Sequence, residues 1–144
     1  MGDLACTRLV AAVAALLTVG AGLGIRAAGS GDVAKFGGDA LYTVLVYTLV
    51  VLARPRLRPL AAATGALAFS WAVELFQLTG VPAEWAGRSV VARLVLGSTF
   101  NVPDLLWYAV GAGACWAIHT SLPRSAAPPV AARPRATGGR SPGP

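Results

Sequence analysis

Four apolar runs, each near the length of a helix that crosses a bilayer, constrain this chain more than anything else in it. They cover residues 9–25, about 36–53, 60–81 and 103–122. A hydrocarbon core about 30 Å thick takes about 20 helical residues. Only helices and closed barrels satisfy every backbone group in lipid. The runs show no period-2 alternation, so helices are expected. Only 12% of the residues are charged and 56% are hydrophobic, whereas a soluble domain carries about 25% charged residues. The expected fold is all-α: an integral membrane bundle of four transmembrane helices, at about 7–26, 36–53, 60–80 and 103–122, within one domain over 1–122. Arg8 and Arg26 bracket the first run, which reads as a retained anchor rather than a cleaved signal peptide. Gly20 and Gly24 form a small-xxx-small pair on it.

The basic residues set the expected orientation. Arg8, the turn "ARPRLRPL" with Arg54, Arg56 and Arg58, and the tail with Arg124, Arg133, Arg135 and Arg140 fall on one side of a four-helix topology. Arg26, Lys35, Arg88 and Arg93 fall on the other. Eight against four places both termini in the cytoplasm of a plasma membrane by the positive-inside rule. The Pro/Gly/Ala/Arg-rich stretch 123–144 reads as a disordered basic tail. The outer loop 82–102 holds apolar residues at helical spacing around Arg88 and Arg93, which suits one short interfacial helix with Trp85 at headgroup level. Net charge of +6 in such a chain speaks to lipid headgroups, not to nucleic acid. Cys6 and Cys115 form no CxxC pair and read as inert buried thiols.

Within this apolar background, "FSWAVELFQL" (residues 69–78) places Glu74 and Gln77 on one helix face. A carboxylate at a bilayer centre costs about 2.5–3.5 kcal/mol on insertion scales. At 1.5 Å per residue from the cytoplasmic side, Glu74 lies about 21 Å across, in the outer third. Pro103 and Asp104 open the last run, with Tyr108 and Gly111 on the same face as Asp104. Tyr108 sits at nearly the depth of Glu74 and is placed to donate to it. Lys35 and Asp39 open the second run at the same level, and Arg26 closes the first. The candidate polar site is therefore Glu74, Gln77, Arg88, Asp104, Tyr108, Arg26, Lys35, Asp39 and Arg93. It reads either as a network that locks the helices or as a shallow outer-face site for a charged or amphiphilic ligand; a proton path is a third reading. His119 reads as a residue of the inner interface.

The stretches "KFGGDALY" (35–42), "ELFQL" (74–78), "RLVLGSTF" (93–100) and "DLLWYAVG" (104–111) resemble the domain-of-unknown-function 2809 family of small bacterial membrane proteins. That family looks like a relative of the VanZ-like proteins. The resemblance covers roughly residues 24–119. It carries Glu74, Gln77, Arg88 and Asp104 over as candidate functional positions, with Lys35, Asp39 and Tyr108 from the narrower pattern. The VanZ-like proteins are associated with low-level glycopeptide resistance, so the resemblance implies a cell-envelope role.

The expected function is that of a non-enzymatic multi-pass envelope protein. Its partners are the bilayer and an anionic lipid or cell-wall precursor headgroup. The chain holds no Walker loop, HExxH, GxSxG or metal-ligand cluster, so no catalytic residue, metal or cofactor is expected. A membrane enzyme on a lipid-linked or phosphorylated substrate, with Glu74 or Asp104 as base, is the alternative; a structural or assembly partner without ligand is another.

Overall fold

The computed structural model describes residues 2–29 and 31–122; the basic tail expected over 123–144 lies outside them. The elements are α1 (Gly2–Ala28), α2 (Asp32–Ala53), α3 (Pro59–Phe76), a 3₁₀ turn (Gln77–Thr79), α4 (Val81–Arg88), α5 (Val90–Leu96) and α6 (Val102–Ser121). The all-helical expectation holds, with no strand among the described residues. The outer loop, however, carries two short helices where one was expected. Ser89 separates them in extended conformation, and its hydroxyl accepts from the Ala92 N–H to start α5.

The side-chain distribution is inverted relative to a water-soluble fold. Leu16, Leu17, Leu78 and Leu106 are 63–74% exposed, while the interior is built from Ala11, Ala62, Ala63, Ala66 and Ala112 with a few polar groups. Large apolar side chains facing outward suit hydrocarbon, and small residues inside let backbones approach closely. Three helices are long and apolar enough to cross a membrane: Leu4–Ala28, Asp32–Ala53 and Pro59–Thr79. This corrects the expectation of four. At 20 residues α6 has the length, about 30 Å, but Pro103, Asp104 and His119 lower its apolarity.

Polar contacts give the directions of the helices. Lys35 meets Asp104 near the starts of α2 and α6, and Tyr47 meets His119 near their ends, so these two run parallel. Glu74, late in α3, meets Tyr108, early in α6, so α3 runs opposite to both. In the middle, the Thr43 hydroxyl donates to Ser70 Oγ at 3.0 Å, and both residues are fully buried. α2 is the central helix, packed against α1, α3 and α6; α1 packs chiefly on α2. His119, expected at an interface, is half-buried and lies 2.6 Å from the Tyr47 hydroxyl. Cys6 is exposed and Cys115 half-buried, both free. Gly20 and Gly24 have open space where side chains would be, so they serve no packing within the chain.

The closest approach of α2 and α6 depends on Gly111. A Cβ there would overlap the Ala40 carbonyl oxygen. Gly113, two residues on, faces open space. Overpacking a tight contact costs about 1–3 kcal/mol. Gly111→Ala should therefore lower the melting temperature of the full chain in detergent, and Gly113→Ala should not. Equal behaviour of the two variants would contradict the packing.

Candidate functional site

One end of the bundle, carrying the α1–α2 turn and the α4–α5 segment, holds both buried carboxyl groups, Glu74 and Asp104, and the buried Gln77 amide. Glu74 is 1% exposed. Its Oε2 accepts from the Tyr108 hydroxyl at 3.0 Å, and its Oε1 accepts from the Asn101 backbone N–H at 2.7 Å. The Asn101 amide also donates to Asp104 Oδ1 at 2.9 Å. That same oxygen receives the Lys35 ammonium at 2.7 Å. Asp104 is 3% exposed. Two carboxyl groups, one ammonium, one phenol and one asparagine thus tie the starts of α2 and α6 to the end of α3.

Local sequence explains why these groups meet. Asn101 adopts extended backbone ahead of Pro103, which suits a first turn that needs no N–H. The Asn101 N–H consequently points out of the helix and is free for Glu74. Gln77 sits in the 3₁₀ turn, one turn beyond Glu74, and its Nε2 donates to the Leu96 carbonyl at 2.8 Å. This draws the end of α5 onto α3. Gly97 makes it possible: its φ is +68°, and a Cβ there would lie 2.5 Å from Gln77 Nε2. Phe36, next to Lys35, stacks on Trp107, next to Tyr108, with centroids 5.4 Å apart.

Beside this network lies a cavity of about 610 Å³, lined by residues of α1, α2, α3, α5 and α6. Of the nine candidate residues, all but Arg88 line it. Arg88 ends α4 exposed, without an ion pair among the described residues. The cavity is graded. Arg26, Lys35 and Arg93 also surround a second, shallower depression of about 460 Å³ at the mouth, which has no acidic lining. Asp39, Glu74 and Asp104 lie within the main cavity. Val19, Leu23, Leu45 and Val73 form its apolar part, between α1 and α3. Among the described residues neither Arg26 nor Arg93 takes an ion pair. Asp39 is half-buried and lies within electrostatic reach of Asp104, Lys35 and Glu74. Two buried acceptors have no partner, Asp39 Oδ2 and Gln77 Oε1.

Asn101 and Gly97 are the residues that sequence reasoning missed. Asn101 stands two residues before Pro103 and three before Asp104, a helix-start signal that could have marked it as the residue preceding α6. Nothing in the sequence marked the Gly97 approach to Gln77, which depends on how α5 folds back. Among the described residues no cluster of His, Cys, Asp or Glu has the makings of a metal site.

Residues 29–112 match the family model described as protein of unknown function (DUF2809). The chain belongs to this family. The DUF2809 span includes Lys35, Asp39, Glu74, Gln77, Arg93, Asp104 and Tyr108, and leaves out α1 with Arg26. No solved structure matches the chain.

The network makes a stability prediction. Leaving a buried polar group without its partner costs about 1–3 kcal/mol. Tyr108→Phe removes one donor to Glu74 and should cost about that much. Glu74→Ala strands both the phenol and the Asn101 N–H and should cost more. Glu74→Gln keeps an acceptor for that N–H and should fall between Glu74→Ala and wild type. Denaturation in mixed detergent micelles gives the order; full stability of Tyr108→Phe would show that the bond contributes nothing.

Proposed function

We propose that this protein is a non-enzymatic, multi-pass membrane protein that holds a phosphate-bearing amphiphile in the graded cleft between α1 and α3. The observation that carries this reading is the cavity itself: Arg26 and Arg93, without an ion pair among the described residues, at its mouth beside Lys35, continuous with an apolar groove. Arginine suits phosphate because its planar donors match phosphate oxygens. An apolar groove continuous with a basic mouth suits a molecule with a charged head and hydrocarbon tails. α6 lies parallel to α2 with Asp104 and Tyr108 buried against the bundle.

The enzyme reading has less support. Glu74 and Asp104, its candidate bases, are both engaged by Tyr108, Asn101 and Lys35 and are almost fully buried. A purely structural role accounts for those two acids but not for Asp39, Arg26 and Arg93. A cell-envelope role linked to glycopeptide resistance rests on the resemblance to VanZ-like proteins. It predicts altered glycopeptide sensitivity on deletion; unchanged sensitivity would remove it.

In this reading the cleft opens toward the extracytoplasmic side, because Arg54, Arg56 and Arg58 hold the opposite end in the cytoplasm. A thiol introduced by Arg56→Cys should resist an impermeant reagent applied from outside, and its labelling there would reverse the orientation. The binding test is native mass spectrometry of the full chain in detergent with added phospholipid. Charge-assisted hydrogen bonds contribute about 1.5–3 kcal/mol. Arg26→Gln with Arg93→Gln should therefore lower phospholipid retention by about tenfold or more, while Arg88→Gln, outside the cavity, should leave it unchanged. Equal retention by all three proteins would sink the proposal.

A further inference from the structure

The depression at the mouth carries bases alone while the main cavity adds acids to them, and that difference specifies the headgroup more closely. The shallow depression at the mouth is lined by Arg26, Lys35 and Arg93 and by no acid. The main cavity adds Asp39, Glu74 and Asp104. Glu74 is satisfied by the Tyr108 phenol and the Asn101 N–H, and Asp104 by Lys35 and Asn101. Asp39 is not: its Oδ2 is buried without a hydrogen-bond partner. Gln77, only 9% exposed, likewise has its Oε1 buried and unpartnered. Its orientation is fixed, because the Leu96 carbonyl accepts and so requires the Nε2 side of the amide. Native buried polar groups are nearly always hydrogen-bonded. Two orphan acceptors, both from residues lining one cavity and belonging to α2 and to the turn after α3, call for a molecule that donates. Asp39 is a carboxyl group without an ion pair among the described residues, which favours a donor that is also a cation.

We infer that the cleft takes an amphiphile whose headgroup carries both a phosphate and a primary amine. The phosphate sits among Arg26, Lys35 and Arg93, the amine turns inward to Asp39 and Gln77, and the hydrocarbon tails run along Val19, Leu23, Leu45 and Val73. The inference rests on the reading of the cleft as an amphiphile site. The source it commits to is a membrane aminophospholipid of the phosphatidylethanolamine type. A quaternary ammonium has the charge but no N–H to donate, and a glycerol headgroup has donors but no charge. A proton on Asp39 is the competing way to fill the site, and it predicts no discrimination among headgroups.

The test uses the full chain in detergent and native mass spectrometry with equal mole fractions of phosphatidylethanolamine, phosphatidylcholine and phosphatidylglycerol of matched tails. Wild type should retain phosphatidylethanolamine about tenfold over each of the others, as expected for one to two charge-assisted hydrogen bonds. Asp39→Asn is isosteric, keeps a hydrogen-bonding side chain beside Asp104 and does not touch the Glu74 bonds to Tyr108 and Asn101; it should lose the preference while still retaining phospholipid. Gln77→Leu should weaken the preference less. Equal retention of the three lipids by wild type, or a preference unchanged in folded Asp39→Asn, overturns the amine assignment alone. Retention of none of them overturns the amphiphile reading with it. If Asp39→Asn does not fold, the wild-type ranking of the amine against the trimethylated headgroup decides the matter.

Discussion

The Glu74 carboxyl group organises this molecule. It sits in an otherwise apolar helix, almost wholly excluded from solvent. It reaches a phenol on α6 and the backbone N–H that precedes α6. Without those donors its burial would be unfavourable, and with them α3 is fixed to the start of α6. Asn101 then passes the connection to Asp104, and Asp104 passes it to Lys35 on α2. A bundle whose core is mainly alanine has little shape with which to set the register of its helices. Directional bonds at one end, with Thr43–Ser70 in the middle and Tyr47–His119 at the other end, supply it.

The same cluster divides into closed and open parts. Glu74, Tyr108, Asn101, Asp104 and Lys35 satisfy one another and behave as a lock. Among the described residues Asp39 Oδ2 and Gln77 Oε1 have no hydrogen-bond partner and Arg26 and Arg93 no ion pair, and all four residues line the cavity. The alternatives of a structural lock and a binding site are thus assigned to different residues at the same level. α1 matters here because it packs chiefly on α2, which leaves its other face to border the groove. That helix lies outside the span shared with the DUF2809 family, so Arg26 is a contribution of this chain beyond the matched residues.

Much of this was legible in the residues. Helical depth counted from "ARPRLRPL" put Glu74 level with Tyr108, and the face shared by Asp104, Tyr108 and Gly111 was read from their spacing. Lateral closeness was not legible, because depth along a bundle does not say which helices are neighbours. Arg88 shows this: it shares the segment of Arg93 yet points away, since the break at Ser89 reorients α4 relative to α5. The apolar spacing of Val90, Val91, Leu94 and Val95 marks only α5; the α4 segment VPAEWAGR has too few apolar residues to show a helical period. The last apolar run was counted as equal to the others by length. The polar groups that bring α6 into the network are the same ones that make it less apolar than a lipid-facing span.

The most direct test of the central claim is to find where a membrane lipid touches the protein. A phospholipid with a photoactivatable group high on its acyl chain can be crosslinked to the full chain in bilayers and the adducts mapped by peptide mass spectrometry. The account predicts adducts concentrated on the groove at Val19, Leu23, Leu45 and Val73, and reduced there by Arg26→Gln with Arg93→Gln. Adducts spread evenly over exposed apolar positions such as Leu16, Leu106 and Val110, and insensitive to the arginines, would contradict it.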